Sequence, residues 1–216
     1  MIHNQTDMKI PVGNVKVEGT LTMPPGAKGV VLFAHGSGSS RFSPRNQYVA
    51  KEFNKAKIAT LLFDLLTQEE EETDILTGEY RFNIALLAQR LIGATQWLRN
   101  DLLTKRSAFG YFGASTGAAA ALIAAAKLPN DIVAVVSRGG RPDLAEEYLP
   151  RVTAPTLLLV GGLDTEVIEL NRLAMDQMTN EKKLVIVPGA THLFEEPGAL
   201  EQVAKFSIDW FLRYLG

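Results

Sequence analysis

Short apolar segments alternate with longer amphipathic segments along most of this chain, and this alternation constrains its fold most strongly. Residues 29–35 (GVVLFAH) form an apolar run that starts at a glycine, and comparable runs occur at 58–63, 107–112 and 155–160. Longer stretches with helical spacing of apolar residues separate them. The alternation is typical of α/β proteins, and continuous apolar runs indicate strands buried on both faces. We therefore predict an α/β fold with a mostly parallel sheet.

The remaining segments complete this prediction. Residues 14–23 alternate between polar and apolar side chains, which predicts a half-exposed strand that pairs in an antiparallel hairpin with residues 8–12. Two more strands are predicted at 132–136 and 183–187. Helices are predicted at 43–55, 82–98, 116–127, 166–178 and 200–215. The acidic segment 68–73 (QEEEET) is assigned to a connection.

Composition limits the classes of function. A chain of 216 residues is long enough for one sizeable core, so we expect a single domain over 1–216. Its 22 basic and 24 acidic residues leave a net charge of −2, which does not favour a nucleic-acid partner. The first ten residues lack the features of a secretory signal, and the Gly/Ala-rich stretch 110–126 is too weakly hydrophobic for a membrane span. No membrane association is expected.

The chain contains no cysteine. This excludes a thiol nucleophile, disulfides and thiolate metal sites, and it fits a reducing compartment, so a cytoplasmic location is expected. No phosphate-binding loop, G-x-G-x-x-G segment or metal-ligand cluster stands out, and we therefore infer no cofactor. A small molecule remains as the expected partner.

One pentapeptide carries a specific chemical signal. Residues 113–117 read Gly-Ala-Ser-Thr-Gly, a G-x-S-x-G pattern placed between a predicted strand and a predicted helix. This context is what a nucleophile elbow requires: a sharp turn that needs glycines on both sides and presents its serine above the sheet. A turn of this kind also places the serine at a helix N-terminus, whose dipole favours a developing anion. Ser115 is therefore the candidate nucleophile.

A serine nucleophile needs a base, and the chain has three histidines. His3 lies near the chain start, and His35 ends a predicted strand well upstream of Ser115, where it is interpreted as a structural residue beside an oxyanion loop. His192 follows a predicted strand and precedes the last predicted helix. Its position agrees with the order Ser, Asp/Glu, His along the chain. His192 is the candidate base.

The acid must lie between the nucleophile and the base. Asp164 directly follows an apolar strand and two glycines and precedes a helix. Glu166 is close enough to compete for this role, and Asp143 is a weaker alternative. Because the carboxyl ends of parallel strands meet at one edge of the sheet, Asp164 can reach the same edge as Ser115 and His192. Asp164 is the candidate acid.

Four motifs in this order carry a family resemblance: His35-Gly-Ser-Gly, Gly113-Ala-Ser-Thr-Gly, Gly162-Leu-Asp and Gly189-Ala-Thr-His. Together they resemble the α/β-hydrolase superfamily, and most closely its dienelactone hydrolase-like branch. The resemblance implies an eight-stranded, mostly parallel sheet with helices on both faces. It also implies oxyanion donors from the backbone N–H groups of Thr116 and Ser37. Dienelactone hydrolases use a cysteine nucleophile, whereas Ser115 stands at that position here, which favours ester hydrolysis through a serine acyl-enzyme.

The substrate is less constrained. Only one short helix fits between residues 136 and 155, so no cap domain is expected and an open site for small esters or lactones is favoured. Arg138 and Arg141 follow a strand and are candidates to bind a carboxylate on the substrate; the alternative is pairing with Asp143 or its acidic neighbours. Glu69–Glu72 either face the site or form a solvated loop. A thioesterase, an acyltransferase or a non-catalytic binding module would share the same residues.

Overall fold

Eight strands form one sheet in the computed structural model, which describes residues 4–216; His3 lies outside the described residues. The strands are β1 Asn4–Val12, β2 Val15–Met23, β3 Val30–Ala34, β4 Ala59–Phe63, β5 Phe109–Ala114, β6 Ile132–Arg138, β7 Thr156–Gly161 and β8 Lys182–Val187. The helices are α1 Pro44–Lys55, α2 Gln68–Thr77, α3 Ile84–Asn100, α4 Thr116–Lys127, α5 Thr165–Gln177 and α6 Ala199–Tyr214, with a 3-10 segment at Pro142–Arg151.

The strand order in the sheet is β1-β2-β4-β3-β5-β6-β7-β8. β2 runs antiparallel to both of its neighbours, and the pairs from β4 to β8 are all parallel. β3 and β5 are central: Leu32 of β3 is paired with Leu61 of β4 on one side and with Tyr111 of β5 on the other. The predicted hairpin and the predicted α/β-hydrolase fold are both confirmed.

Helices cover the two faces of the sheet with different kinds of packing. On one face, α3 and α4 pack on the sheet, and the run of small side chains in α4 is fully buried. Alanines allow a helix to approach a sheet closely, which brings the start of α4 down onto the strands. On the other face, α1 and α6 pack through an aromatic cluster of Phe33, Phe53, Phe112 and Phe211, whose rings lie 4.8–5.8 Å apart.

Several predicted bounds differ from the structure by a few residues, and two of the differences have a clear local cause. Residues 68–73 belong to helix α2 rather than to an irregular connection, because Thr67 and Glu70 form a capping box that satisfies the first N–H groups of a helix. β5 begins at Phe109 rather than at Ser107. Ser107 is held in a turn, since its N–H donates to the Thr104 carbonyl and its own carbonyl accepts from Arg99.

One connection at the carboxyl edge of the sheet is short. Between β6 and β7 the chain forms only the 3-10 segment Pro142–Arg151, in agreement with the expected absence of a cap at this position. None of the helices in the described part of the chain has the length and apolar content needed to cross a bilayer.

Candidate active site

The candidate nucleophile lies in a sharp turn between β5 and α4. Ser115 has a φ of 50° and a ψ of −122°, a conformation that non-glycine residues rarely adopt. Its N–H donates to the Arg138 carbonyl (3.2 Å), and its carbonyl accepts from the N–H of Arg141 (3.1 Å). These bonds to the end of β6 and to the segment after it hold the turn in its strained form.

Glycines on both sides of Ser115 make this turn possible. A methyl group at Gly113 would lie 2.5 Å from the Ala118 Cα, and one at Gly117 would lie 2.2 Å from the Ala34 carbonyl oxygen. Neither contact can form, so only glycine fits at these positions. The predicted need for glycine is therefore explained by close approach of the backbone on both flanks.

The Ser115 hydroxyl is not used by the helix that follows it. Ser115 is the N-cap residue of α4, a position where serine often bonds a backbone N–H of the first turn, but its side chain makes no capping bond here. The hydroxyl therefore stands at the N-terminus of a buried helix, where the helix dipole stabilises negative charge.

The candidate base and acid are paired. His192 Nδ1 lies 2.6 Å from Asp164 Oδ2. The Asp164 side chain is 15% exposed and that of His192 is 38% exposed, so the carboxylate is sheltered while part of the ring remains accessible. A charge-assisted hydrogen bond of this length fixes the orientation of the ring and requires the Nδ1–H tautomer.

Backbone contacts join the loops that carry these two residues. The Leu163 N–H donates to the Ala190 carbonyl (2.9 Å), and the lack of a side chain at Gly161 lets that carbonyl come close. The second loop is closed by Glu196, whose carboxylate accepts from the N–H and the hydroxyl of Thr191. The hydroxyl bond lowers the pKa of Glu196. Sequence analysis missed this role of Glu196; a threonine beside the histidine with an acid a few residues later was the available signal.

The ring of His192 also faces the end of β6, the strand next to β5. A methyl group at Gly139 would lie 3.6 Å from the His192 Cε1, and the preceding residue, Arg138, accepts the Ser115 N–H. The three candidate residues thus lie at the same edge of the sheet, after the carboxyl ends of β5, β7 and β8. Within the described residues, His192 is bonded to Asp164 and makes no hydrogen bond with the Ser115 hydroxyl.

The alternative acids lie elsewhere. Asp143 forms a two-point ion pair with Arg141, with nitrogen–oxygen distances of 2.8–3.2 Å. Glu166 is exposed in the first turn of α5, and its negative charge is close enough to contribute to the raised pKa of Arg141, behind the larger effect of Asp143. Of the three acids considered, Asp164 is the one bonded to His192.

His35 has both ring nitrogens in hydrogen-bond contact. Its Nε2 accepts the Leu65 N–H (3.0 Å), and its Nδ1 lies 3.0 Å from the Gly36 carbonyl. Burial lowers the pKa of His35, which keeps the ring neutral with its proton on Nδ1. His35 thereby ties the loop after β3 to the loop after β4, in agreement with a structural role.

The loop that starts at His35 reaches the elbow. A methyl group at Gly36 would lie 3.1 Å from the Ser115 Cβ. The Ser37 N–H donates to the Thr116 Oγ1 at 3.0 Å. The two residues expected to provide oxyanion donors, Ser37 and Thr116, are therefore in direct contact beside the candidate nucleophile.

The two candidate substrate-binding arginines differ in their surroundings. Arg141 forms an ion pair with Asp143, which is the predicted alternative to binding a substrate carboxylate. Arg138 is 7% exposed, and within the described residues its Nε and Nη1 have no hydrogen-bond partner. Burial, with a smaller contribution from the positive charge of Arg45, lowers the pKa of Arg138 to about 10, so the group is still a cation at neutral pH.

A cavity of about 350 Å³ lies beside the loop 35–39. Leu66, Ile75 and Leu87 provide its apolar lining, and Glu71 and Arg81 are among its polar groups. Of the acidic run, Glu71 therefore faces this cavity. Glu70 instead forms an ion pair with the largely buried Arg90.

Comparison with known proteins supports the same fold family. The model of the dienelactone hydrolase family matches residues 17–212. A structure of a dienelactone hydrolase from Anabaena variabilis is 57% identical, covers 99% of both chains and superposes with a TM-score of 0.98. Est1E from Butyrivibrio proteoclasticus is 18% identical over 96% of this chain and 98% of its own, with a TM-score of 0.80, and shows similarity of fold alone.

Longer relatives also match. Proteins from two strains of Mycobacterium tuberculosis, named "Putative phosphoribosyl transferase", are 55% identical over 209 residues, which is 97% of this chain and 46% of theirs. The chain thus spans about half the length of these relatives. With the family model matched over most of its residues, this chain belongs to the dienelactone hydrolase family of α/β hydrolases.

Proposed function

We propose that this chain hydrolyses small carboxylic esters or lactones through an acyl-enzyme formed on Ser115. The observation that carries the proposal is the 2.6 Å pair of His192 and Asp164. It lies at the same sheet edge as a strained serine that makes no side-chain capping bond at the N-terminus of α4. This combination supplies a nucleophile, a base and a group that orients the base. Membership of a hydrolase family supports the same class of reaction.

In the proposed first step, the Ser115 Oγ attacks the carbonyl carbon of the ester while His192 Nε2 takes its proton. Asp164 accepts the Nδ1–H bond and stabilises the imidazolium that forms. The carbonyl oxygen becomes an oxyanion at the start of α4, where the Thr116 N–H is a donor. The tetrahedral species collapses, the bond between the former carbonyl carbon and the alkoxy oxygen breaks, and His192 gives its proton to the leaving alcohol.

In the second step, His192 removes a proton from water as the water attacks the acyl-enzyme. The ester bond to Ser115 breaks, the acid leaves and the serine recovers its proton. A thioester would follow the same two steps with a thiol leaving group, and an acyltransferase would replace water by another acceptor. Kinetics with matched esters, thioesters and added alcohols separate these three activities.

Substrate size is proposed from the cavity beside the loop 35–39, whose lining includes Ser37 but neither Ser115 nor His192. Its volume of about 350 Å³ is at the small end of the ~300–1,000 Å³ that ligand pockets span. The connection between β6 and β7 adds no cap over the sheet edge. Short acyl groups are therefore expected to be better substrates than long ones, and a chain-length series with falling kcat/KM tests this expectation.

The activity in the name of the mycobacterial relatives is not part of this proposal. Their aligned segment is 46% of each relative, and the residues argued for here provide an acyl nucleophile.

The first experiment measures intact mass after treatment with a fluorophosphonate, which traps activated serines. Wild type should gain one adduct, and Ser115→Ala should gain none. Ser107→Ala should label like wild type, because Ser107 lies before the start of β5 whereas Ser115 follows its end. Ser115→Ala should also lower ester turnover by ~10⁴-fold or more. A folded wild-type protein that gains no adduct would overturn the proposal and favour a non-catalytic binding module.

A further inference from the structure

The contact between Ser37 and Thr116 changes the expected form of the oxyanion site. A backbone amide has one hydrogen, and that of Ser37 is directed at the Thr116 Oγ1 across 3.0 Å. Thr116 is 4% exposed, so water does not readily replace this bond. In this geometry, the Ser37 N–H donates to the Thr116 hydroxyl and is not directed at the place beside Ser115 where an oxyanion would form.

The Thr116 hydroxyl keeps a hydrogen of its own. A hydroxyl group accepts through its oxygen lone pairs and donates through its single hydrogen, and the Thr116 oxygen accepts from Ser37. Its hydrogen must point away from that donor, and among residues 4–216 no carbonyl or side chain accepts it. The structure therefore contains a buried hydroxyl donor, next to the nucleophile, whose hydrogen is available to a ligand.

The position of this hydroxyl on its residue matters as well. Thr116 is the first residue of α4, so its backbone N–H is one of the helical N–H groups that have no partner within the helix. The N and Oγ1 atoms of one threonine are separated by only three covalent bonds. An oxygen atom that binds the Thr116 N–H can thus also be reached by the Thr116 hydroxyl.

We propose that Thr116 donates two hydrogen bonds to the oxyanion, one from its backbone N–H and one from its hydroxyl, and that Ser37 acts through this hydroxyl. This inference rests on the proposed acyl-enzyme mechanism. When the Ser115 Oγ bonds to the carbonyl carbon, the carbonyl π electron pair moves onto the oxygen and the serine proton moves to His192. Thr116 transfers no proton. It stabilises the charge, and the N–H of Ser37 polarises its hydroxyl into a stronger donor.

The test compares Thr116→Val with Thr116→Ser. Valine has the shape of threonine without the hydroxyl, whereas serine keeps the hydroxyl and loses the methyl group. Loss of one oxyanion donor lowers kcat by ~10²–10³-fold in enzymes of known mechanism. We expect the kcat of Thr116→Val to fall by a factor in this range, while its KM stays within about threefold of the wild-type value. Thr116→Ser should retain kcat within about tenfold.

A matched control corrects for the loss of any buried threonine hydroxyl. Thr60 is 1% exposed, and its Oγ1 also accepts a hydrogen bond, from the Asn54 Nδ2 at 3.0 Å. Thr60 lies in β4, away from Ser115 in sequence and in the strand order. Thr60→Val should lower thermal stability with little change in kcat, so a fall in kcat confined to Thr116→Val is specific to the reaction.

A second measurement uses a trifluoromethyl ketone, which adds to an activated serine and forms a stable oxyanion. Thr116→Val should weaken its inhibition by about the factor by which kcat/KM falls, while the affinity for a product acid stays near that of wild type. The inference is overturned if Thr116→Val keeps the wild-type kcat, or if the kcat of Thr116→Ser falls as much as that of Thr116→Val. Failure of wild type to react with a fluorophosphonate would instead overturn the proposed function itself.

Discussion

Replacing Gly117 by alanine tests how the elbow is held against the loop that follows β3. The added methyl group would lie 2.2 Å from the Ala34 carbonyl oxygen and 2.5 Å from the His35 carbonyl oxygen. Both obstacles are backbone atoms at the end of a central strand. Carbon–oxygen contacts are normally about 3.3–3.6 Å, so the start of α4 and the loop at His35 must separate by roughly 1 Å.

The size of the effect follows from this displacement. Overpacking of an interior costs about 1–3 kcal/mol, and removing a glycine from a helix offsets up to about 1 kcal/mol of this. A net loss of about 1–2 kcal/mol lowers the Tm by about 2–8 °C for a chain of this length. Activity is more sensitive, because a 1 Å misplacement of catalytic groups can lower the rate by ~10²-fold.

The assay combines thermal unfolding with the second-order rate of fluorophosphonate labelling. Gly162→Ala is the matched control, because it lies in the loop before Asp164 and its methyl group would come no closer than 3.2 Å to another atom, the Val187 carbonyl oxygen. We expect Gly117→Ala to lose ~10²-fold in labelling rate and Gly162→Ala to lose far less. A Gly117→Ala protein with wild-type labelling and an unchanged or higher Tm would refute the steric argument.

Two further predictions concern ionisable residues. Asp164→Asn should lower ester turnover by ~10⁴-fold, because the amide favours the wrong tautomer of His192, while Glu166→Gln should have little effect; the reverse ranking would show that the acid has been misassigned. Burial lowers the pKa of His35 in the folded state, so the unfolded chain binds a proton that the folded chain excludes. Stability should therefore fall as the pH drops below ~6.5, by up to about 1.4 kcal/mol per pH unit. Denaturant unfolding at pH 7.5 and pH 5.5 should show a smaller decrease in the free energy of unfolding for His35→Gln than for wild type. Equal decreases in the two proteins would contradict the conclusion that His35 is buried in its neutral form.

The strands and most helices could be predicted because local patterns and burial agree. The run at β3 is buried on every residue, and continuous apolar runs are typical of strands inside a parallel sheet. Helix α1 begins at Pro44 after Ser43, as the sequence predicts, because cap and proline preferences act over a few residues. Helix α2 was not predicted, because a run of glutamates is also typical of solvated loops. The capping box at its start stabilises the helix.

The three candidate catalytic residues could be chosen from the sequence because each follows a strand and parallel strands end at one edge. What the sequence could not decide was the partner of each side chain. Asp143 lies in the first turn of the 3-10 segment and Asp164 directly precedes α5. Only the tertiary structure pairs the first with Arg141 and the second with His192. Hydrogen bonds between distant segments depend on where loops lie in space, and local pattern carries no information about this.

The amino-acid sequence by itself thus determined the class of fold, the order of its elements and the types of residue at the sheet edge, because periodicity and turn chemistry are local properties. The tertiary structure alone decided that the Ser37 N–H meets the Thr116 hydroxyl, that Glu196 closes the loop of His192 and that Arg138 is buried. Each depends on contacts between segments far apart in the chain, whose distances are set by how the helices pack on the sheet.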